Sequence, residues 1–318
     1  MNGGVSIVIP CFNQARFLVH AMASARQSVI QPEIIVVDDG STDETSETAR
    51  AAGVTCIRQS NRGLVAARNR GLEAASGAFV IFLDADDTLL PGAIDVGLAA
   101  LTEDADRALA WGRCVMMDET GVLLPTPSPP RVLADHHAAL LASNCIWTPG
   151  AAMLRTEAVR TAGGFAGGFD AAADYDLYLR ITRVHGACDH GQPVVGYRRH
   201  AANMSGNAAR MLRDTLAVVQ RNRPDAGPLL DAWQRGRRMW QDFYGTQLVE
   251  EMRHDLRTGA LTHVVGKSFV LARMAPAVLW REARRKGNVV MRRRQAGRAT
   301  AAADTASPSR RADSASGS

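Results

Sequence analysis

The first 83 residues alternate between short apolar segments and segments with helical spacing. Apolar runs of strand length occupy residues 5–9, 33–37, 54–57 and 79–83. Between them, apolar residues recur every three or four positions over 15–28, 45–52 and 64–75. Strands joined through helices by short links form parallel sheets with right-handed crossovers. We therefore predict an α/β fold, a mainly parallel sheet with helices on both faces.

Three carboxylates follow the fourth apolar segment within four residues, at Asp84, Asp86 and Asp87. Neighbouring like charges repel, and an isolated carboxylate is costly to bury. Such a cluster suits a hard cation, or hydroxyl groups that need acceptors. By itself the segment favours a metal site and a solvated strand-to-loop junction equally.

Polar residues also follow the first two predicted strands, as Phe12-Asn13 and Asp38-Asp39. The carboxyl ends of parallel strands meet at one edge of a sheet, where α/β proteins bind ligands. The three polar segments should therefore converge in one crevice. No GxGxxG follows the first strand and no GxxxxGK[ST] occurs in the sequence, which argues against a dinucleotide-binding Rossmann domain and a P-loop NTPase.

Composition narrows the class of protein further. The chain has 318 residues, 46% of them hydrophobic, which is enough for a sizeable core. The net charge of +5 comes from a basic excess in the last quarter, so we expect no nucleic-acid partner. Five scattered cysteines without zinc-type spacing indicate reduced thiols in a cytoplasmic protein. No apolar run approaches the roughly 18 residues of a membrane-spanning helix.

The strand–helix alternation fades after residue 90. We predict strands over 108–117, 149–154 and 193–200, and a hairpin that turns at 118–121 into 122–124. Helical spacing returns over 91–101, 135–143, 156–162 and 171–184.

Several short motifs occur together and in order. They are Val5–Pro10 with Phe12-Asn13, Ile35–Asp43, Asn61–Gly71, Phe82–Asp87, Gly163–Phe165, Ala173–Leu177 and Tyr197–Ser205. Each motif alone is weak, but the set resembles family 2 glycosyltransferases over roughly residues 5–205. The resemblance implies the GT-A fold and an inverting enzyme that uses a nucleotide-sugar donor, either a UDP-, a dTDP- or a GDP-sugar. It also implies a divalent metal, Mn²⁺ or Mg²⁺.

By matching position, the resemblance also implies roles for donor-binding residues. Pro10 and Phe12, with Asn13 beside them, would bind the nucleotide base. Asp39 would accept hydrogen bonds from the base or the ribose, and Arg68 would approach the base or the diphosphate.

The remaining implied roles concern the acids and one histidine. Asp84 would face the ribose or the sugar, and Asp86 the metal. Asp174 would be the general base, although Ala173 stands where the family commonly has glutamate. His200 matches a position that approaches the metal or diphosphate in some relatives.

Each of these residues also has a plain structural interpretation. Asp39 could cap the next helix, Arg68 could be a solvated helix residue, and Asp174 could complement a helix dipole. His200 could be an ordinary loop histidine. Trp147 could stack on a sugar or belong to the core.

The motifs favour a metal-dependent, inverting glycosyltransferase acting on a saccharide or lipid-linked acceptor of the cell envelope. A nucleotidyltransferase is one alternative, but the loop after the first strand is neither glycine-rich nor basic. A non-catalytic nucleotide-sugar-binding protein is the other, because of Ala173.

The last third departs from the family pattern. We predict a GT-A domain over 1–205, with a donor half at 1–90 and an acceptor half at 91–205. A helical extension over 206–260, an amphipathic basic segment over 261–298 and a disordered tail over 299–318 would follow. Residues 281–298 hold eight bases against one acid, Glu282. The basic segment favours equally a peripheral contact with an anionic membrane, at the inner face of the cytoplasmic membrane, and a solvated helix surface.

Overall fold

The computed structural model describes residues 4–201, 203–282 and 284. The chain divides into two compact units between Tyr244 and Gly245. Residues 206–244, the first part of the predicted helical extension, belong to the first unit, and the predicted domain bounds stay a prediction. Val218, Val219 and Trp233 are buried in the same apolar cluster as the sheet. The predicted tail at 299–318, and the basic segment from residue 285 on, lie outside the described residues.

A mixed eight-stranded sheet runs through the described part of the first unit. The strands are β1 (Val5–Cys11), β2 (Glu33–Asp38), β3 (Thr55–Arg58), β4 (Phe79–Phe82), β5 (Thr88–Leu89), β6 (Arg107–Met117), β7 (Ala152–Arg155) and β8 (Gly186–Arg198). Their order is β3-β2-β1-β4-β7-β6-β8-β5. The pairs β1–β2, β2–β3, β1–β4 and β6–β8 are parallel. Strand β7 is antiparallel to both neighbours, and β5 is antiparallel to β8.

The described helices include those predicted in the first half of the chain. They are α1 (Ala15–Ala25), α2 (Thr45–Ala51), α3 (Leu64–Ala74), α4 (Ala93–Thr102), α5 (His136–Ala142), α6 (Thr156–Thr161), α7 (Ala173–Thr182), α8 (Ala208–Arg221), α9 (Pro228–Thr258) and α10 (Leu261–Met274). Within this part of the chain, none of the helices is both long and apolar enough to cross a bilayer. All five cysteines are free thiols.

The register of the parallel strands aligns the polar residues at one edge. Val8 of β1 pairs with Ile35 of β2 and with Phe82 of β4. Residues a few positions further along each strand therefore leave the sheet side by side. Every residue of β1 and β4 is buried, which matches the continuous apolar runs expected of a parallel sheet covered on both faces.

Two predicted features differ in the structure. The predicted turn at 118–121 is present, and the Leu124 N–H donates to the Met116 carbonyl oxygen at 2.8 Å. Residues 122–124 nevertheless form only a single antiparallel bridge, between Met117 and Leu123, and not a full hairpin strand. Pro125 and Pro127 follow at once and have no N–H to extend the pairing. Strand β8 begins at Gly186, earlier than the predicted 193, and its polar first half pairs with β6 through register shifts. Apolar content alone could not reveal that half.

Helix α9 packs so closely on α5 that position 236 tolerates only glycine. A Cβ at Gly236 would overlap the carbonyl oxygen of Leu141, a backbone atom that cannot rotate away. We expect Gly236→Ala to destabilise the fold by about 1–3 kcal/mol, although alanine is favoured in helices by about 1 kcal/mol. Calorimetric unfolding would measure this change.

Gly266 provides the matched control, because a Cβ there meets no described atom within 4 Å. Gly266→Ala should leave stability unchanged or raise it by up to about 1 kcal/mol. A Gly236→Ala protein as stable as the wild type would contradict the close packing of α9 on α5.

Candidate active site

The carboxyl ends of β1, β2 and β4 open onto a cleft of about 510 Å³ in the first unit. The cleft is lined by seven of the nine predicted site residues, namely Pro10, Phe12, Asp39, Arg68, Asp84, Asp86 and Asp174. The other two, Asn13 and His200, lie outside the lining of this cleft. The predicted convergence of polar strand ends is therefore present in the structure.

Asp39 is buried at the end of β2 and fixes the turn that precedes α3. Its Oδ1 accepts hydrogen bonds from Gln59 Nε2 at 2.7 Å and from the Arg62 N–H at 2.9 Å. Its Oδ2 accepts from the Gly63 N–H at 2.8 Å. The carboxylate thus faces the 59–63 segment, and the alternative that it caps α2 is wrong. Its role as an acceptor for base or ribose stays a prediction.

Asn13 joins two loops beside the cleft and is not part of its lining. Its side-chain oxygen accepts a hydrogen bond from the Thr42 N–H at 2.8 Å, and its own N–H donates to Ser41 Oγ at 2.9 Å. Its φ of 54° is left-handed, which asparagine tolerates better than most residues. Its predicted contact with the donor stays a prediction, and the neighbouring Phe12 is exposed at the cleft.

Arg68 lies at the floor of the cleft, almost wholly buried. Its Nη2 donates to Asp84 Oδ1 at 2.7 Å, and its Cζ lies 5.3 Å from the centre of the Phe165 ring. The net effect of the surroundings is to raise the pKa of Arg68. Burial acts in the opposite direction, but the negative charges of Asp84 and Asp174 outweigh it. The interpretation of Arg68 as a solvated helix residue is wrong. The cleft floor therefore carries a permanent positive charge between two acids.

The carboxylate of Asp86 is in direct contact with the imidazole of His200. The His200 Nε2 lies 2.9 Å from Asp86 Oδ2, and Gln14 Nε2 donates to the same oxygen at 3.3 Å. The imidazole stacks on Phe17 with 5.1 Å between ring centres, and only 3% of the side chain is exposed. Burial and the nearby Asp84 raise the pKa of Asp86. His200 therefore orients a cleft carboxylate.

Asp87 anchors the acidic loop to β8. Its Oδ1 accepts from the Arg198 N–H at 3.0 Å, and its Oδ2 from Thr148 Oγ1 at 2.8 Å. The Arg198 Nε–H donates to the Asp86 carbonyl oxygen at 2.9 Å. Burial, with the charges of Asp86 and Asp84, raises the pKa of Asp87 well above its ordinary value. Asp87 thus binds the loop, while Asp84 and Asp86 face the cleft.

Asp174 approaches the cleft from the first turn of α7. Burial raises the pKa of its carboxyl group, and the positive charge of Arg68 partly opposes this. Ala173, at the position where the family commonly has glutamate, is fully buried in the core. The acid that this chain retains is therefore the one that reaches the cleft.

Two side-chain clusters fix the start of α7. Asn69 pairs with both the N–H and the carbonyl oxygen of Phe165, at 2.8 and 2.9 Å. Asp176 accepts a hydrogen bond from Arg180 Nε at 2.7 Å, and Arg180 Nη2 donates to the Gly164 carbonyl oxygen at 2.7 Å. Asp176 is therefore linked through Arg180 to the glycine-rich segment 163–168.

The cleft is also lined by residues to which the motifs assigned no role, among them Gln14, Asp170, Arg210 and Trp147. Gln14 reaches Asp86, and Arg210 Nη2 lies 3.8 Å from Asp170 Oδ2 at the side formed by later elements. Trp147 is 43% exposed and borders the cleft, so the core alternative for it is wrong. Among the residues named here, only Trp147 could be suspected from the sequence, because it is an aromatic residue close to Pro149-Gly150.

The side chains that could act as metal ligands show whether a metal fits the cleft. Among the described residues, no three His, Cys, Asp or Glu side chains are grouped to hold one. Asp84 and Asp86 present carboxylate oxygens in the cleft, and Mg²⁺ and Mn²⁺ prefer oxygen ligands. Mg²⁺ typically takes one or two carboxylates, with phosphate and water completing its shell. The residues therefore fit a metal shared with a diphosphate.

Comparison with known proteins identifies the family. Residues 6–162 match the family model described as glycosyl transferase family 2. Residues 6–162 belong to glycosyl transferase family 2.

Curated relatives of this family 2 glycosyltransferase domain include larger proteins. Chondroitin synthase from Escherichia coli is 28% identical over 195 residues, which are 57% of this chain and 26% of that protein. Hyaluronan synthase from Pasteurella multocida is 27% identical over 188 residues, 57% of this chain and 19% of that protein. The uncharacterised glycosyltransferase YibD from Escherichia coli K12 is 37% identical over 111 residues, 33% of this chain and 32% of that protein. The chain thus spans less than a third of each relative.

Solved structures of glycosyltransferases share the fold. The mannosyltransferase PcManGT from Pyrobaculum calidifontis, in complex with GDP-Man and Mn²⁺, gives a TM-score of 0.61 at 18% identity, covering 87% of each chain. TarS 1-349 from S. aureus, in complex with UDP-GlcNAc, gives 0.56 at 14% identity, covering 85% of this chain and 91% of that one. The predicted GT-A fold is confirmed.

Proposed function

We propose that this protein transfers a sugar from a nucleotide-diphosphate sugar to an acceptor hydroxyl, with inversion and with a divalent metal. One observation carries the proposal. Asp86, at the end of β4, and Asp174, at the start of α7, line the same cleft, with Arg68 at its floor. Glycosyl transfer needs this combination, because charge must be stabilised on the leaving diphosphate while a base takes the acceptor proton.

The donor half of the cleft provides the oxygen ligands and the positive charge. Asp86, with His200 beside it, would hold Mn²⁺ or Mg²⁺, which when bound acts as a Lewis acid toward diphosphate oxygens, and Asp84 would face the ribose or the sugar. His200 and Gln14 keep Asp86 Oδ2 in place, and Arg68 offsets the charge of Asp84. The volume of about 510 Å³ falls in the range of small-molecule sites. Neighbours in complex with UDP-GlcNAc and GDP-Man support a UDP-, dTDP- or GDP-sugar donor.

Asp174 acts as general base in this proposal. Its carboxylate takes the proton of the acceptor hydroxyl as that oxygen attacks the anomeric carbon, opposite the leaving diphosphate. Attack from that side inverts the anomeric centre, and the protein supplies no nucleophile. The raised pKa of Asp174 makes it a stronger base than an ordinary aspartate.

The acceptor is a saccharide or a lipid-linked saccharide in this proposal, and the product a cell-surface polysaccharide or glycolipid. Relatives named chondroitin synthase and hyaluronan synthase support a polysaccharide product. Trp147 borders the cleft with an exposed ring, and aromatic rings suit the apolar face of a pyranose. A location in the cytoplasm, or at the inner face of its membrane, stays a prediction.

A donor screen tests the function. Purified protein would be incubated with UDP-, dTDP- and GDP-sugars, an oligosaccharide acceptor and Mn²⁺ or Mg²⁺, while release of nucleoside diphosphate is measured. We expect one donor class to be consumed, and chelation by EDTA to reduce the rate by about 100-fold or more, reversibly on adding Mn²⁺.

Two results would count against the proposal. Nucleotide binding in calorimetry without release from any donor would favour the non-catalytic alternative. Full turnover in the presence of EDTA would show that the reaction does not depend on a metal. It would also contradict the metal-binding role proposed for Asp86.

A further inference from the structure

Helix α10, in the second unit, turns an apolar face outward. Leu261, Val265 and Phe269 are 62%, 70% and 69% exposed. Their spacing of four residues places them on one side of the helix. A helix that only covered a core would present its polar side to solvent.

The opposite side of α10 is the one that packs within its unit. Leu271 is fully buried. Lys267 Nζ lies 2.8 Å from both Asp255 Oδ2 and Glu251 Oε2 of α9. These contacts fix the rotation of α10, so the apolar face is not available to the core of this unit.

The apolar surface is followed by aromatic and basic residues. After the helix breaks at Ala275, residues 276–282 are again helical, and Trp280 is 64% exposed. The Arg284 Cζ lies 4.8 Å from the centre of the Trp280 ring. Exposed tryptophan beside arginine is typical of the boundary between lipid headgroups and acyl chains.

Charge decides which partner this surface fits. Residues 281–298 carry eight bases and one acid, a property of the sequence whatever their conformation. Two copies of the chain meeting through this region would bring like charges together. An anionic bilayer attracts the bases, by roughly fivefold in affinity for each one near the surface, and also accepts the apolar side chains.

We propose that α10, residues 276–282 and Arg284 form a membrane-docking surface, which binds the headgroup region of a bilayer containing anionic phospholipid. Leu261, Val265, Phe269 and Trp280 enter the boundary of the acyl chains, and the basic excess of the sequence 281–298 attracts the anionic lipid. The transferase would then work beside a bilayer. This inference does not depend on the transfer reaction, since it concerns a surface outside the cleft.

Vesicle sedimentation tests the proposal. The full chain would be mixed with vesicles of phosphatidylcholine alone, or with 30% phosphatidylglycerol in roughly 0.1 M salt, where charges within about 10 Å still interact. We expect binding to the anionic vesicles and at least about tenfold weaker binding to the neutral ones. The double substitution Val265→Asp and Phe269→Asp should weaken anionic binding by about tenfold or more, because each side chain loses its apolar burial.

Val29→Asp with Val184→Asp is the matched control. These valines are 90% and 76% exposed on the first unit, and the change in charge and polarity is the same. The control should bind anionic vesicles like the wild type, and thermal unfolding would verify that both variants are folded.

Unchanged binding by the α10 variant would overturn the proposal. Equal binding to neutral and anionic vesicles would overturn it too, as would self-association in ultracentrifugation that the α10 substitutions abolish. Since no donor is present, none of these results bears on the transfer assay.

Discussion

Replacing Asp174 with asparagine should reduce sugar transfer by about 10²–10⁴-fold while nucleotide binding stays close to that of the wild type. Asparagine keeps the size of the side chain but cannot take the acceptor proton. The donor-side residues Asp84, Asp86 and Arg68 are unchanged in this variant, so calorimetric titration with the nucleoside diphosphate and Mn²⁺ should give a similar dissociation constant. The rate of product formation at saturating donor measures the effect.

The pH dependence of the wild type should report the same group. Burial raises the pKa of Asp174, so this carboxyl group holds its proton at a higher pH than an ordinary aspartate does. Only the deprotonated form acts as base. The rate should therefore be highest above the raised pKa and fall as the pH decreases through it. In Asp174→Asn the part of this acidic limb that belongs to Asp174 should disappear from the residual activity, and any limb that remains would belong to Asp86, whose pKa is raised as well.

Asp170→Asn is the matched control for this substitution. Asp170 is another acid of the cleft lining, four residues earlier, and it faces Arg210 at 3.8 Å. We expect a change of less than about tenfold there, because one exposed ion pair contributes little. Similar losses in both variants, or an Asp174→Asn enzyme with near wild-type rate, would contradict the assignment of the base.

The parallel half of the sheet was predictable because its signals are local. Continuous apolar runs mark strands buried on both faces, and the register of a parallel sheet brings their ends together without further information. Phe12, Asp39 and Asp84 therefore meet in the cleft as the sequence indicated. The spacing of apolar residues that indicates the intervening helices is also a local signal. The predicted bounds of α1, α2 and α3 differ from the observed bounds by only a few residues.

The parts that could not be predicted depend on contacts between distant segments. The burial of Arg68 depends on Phe165, and the position of Asp86 on His200, far along the chain. Asn13 is bonded to Ser41 and Thr42, residues of a loop some 28 positions further along the chain. No periodicity records such pairings. Contacts between distant segments also bring Val218, Val219 and Trp233 into the same apolar cluster as the sheet.

Replacing Asp86 with asparagine should cause the other large loss of activity. We expect transfer to fall by about 10²–10⁴-fold, since the proposed metal contributes several kcal/mol to stabilising charge on the diphosphate. Asparagine retains hydrogen-bonding groups for Gln14 and His200 but removes the negative charge that attracts a cation. Mn²⁺ should then no longer strengthen binding of the nucleoside diphosphate, which titration with and without the metal would show.

Stability separates this role from a structural one. Burial and Asp84 raise the pKa of Asp86, so the folded protein disfavours the charged carboxylate at this position. Removing that charge should leave the melting temperature unchanged or raise it, whereas a residue needed for folding would lower it. Loss of transfer together with an equal or higher melting temperature would be typical of a carboxylate kept for function at a cost in stability. A variant that retains its Mn²⁺ dependence would instead show that Asp84, or a ligand outside this pair, carries the metal.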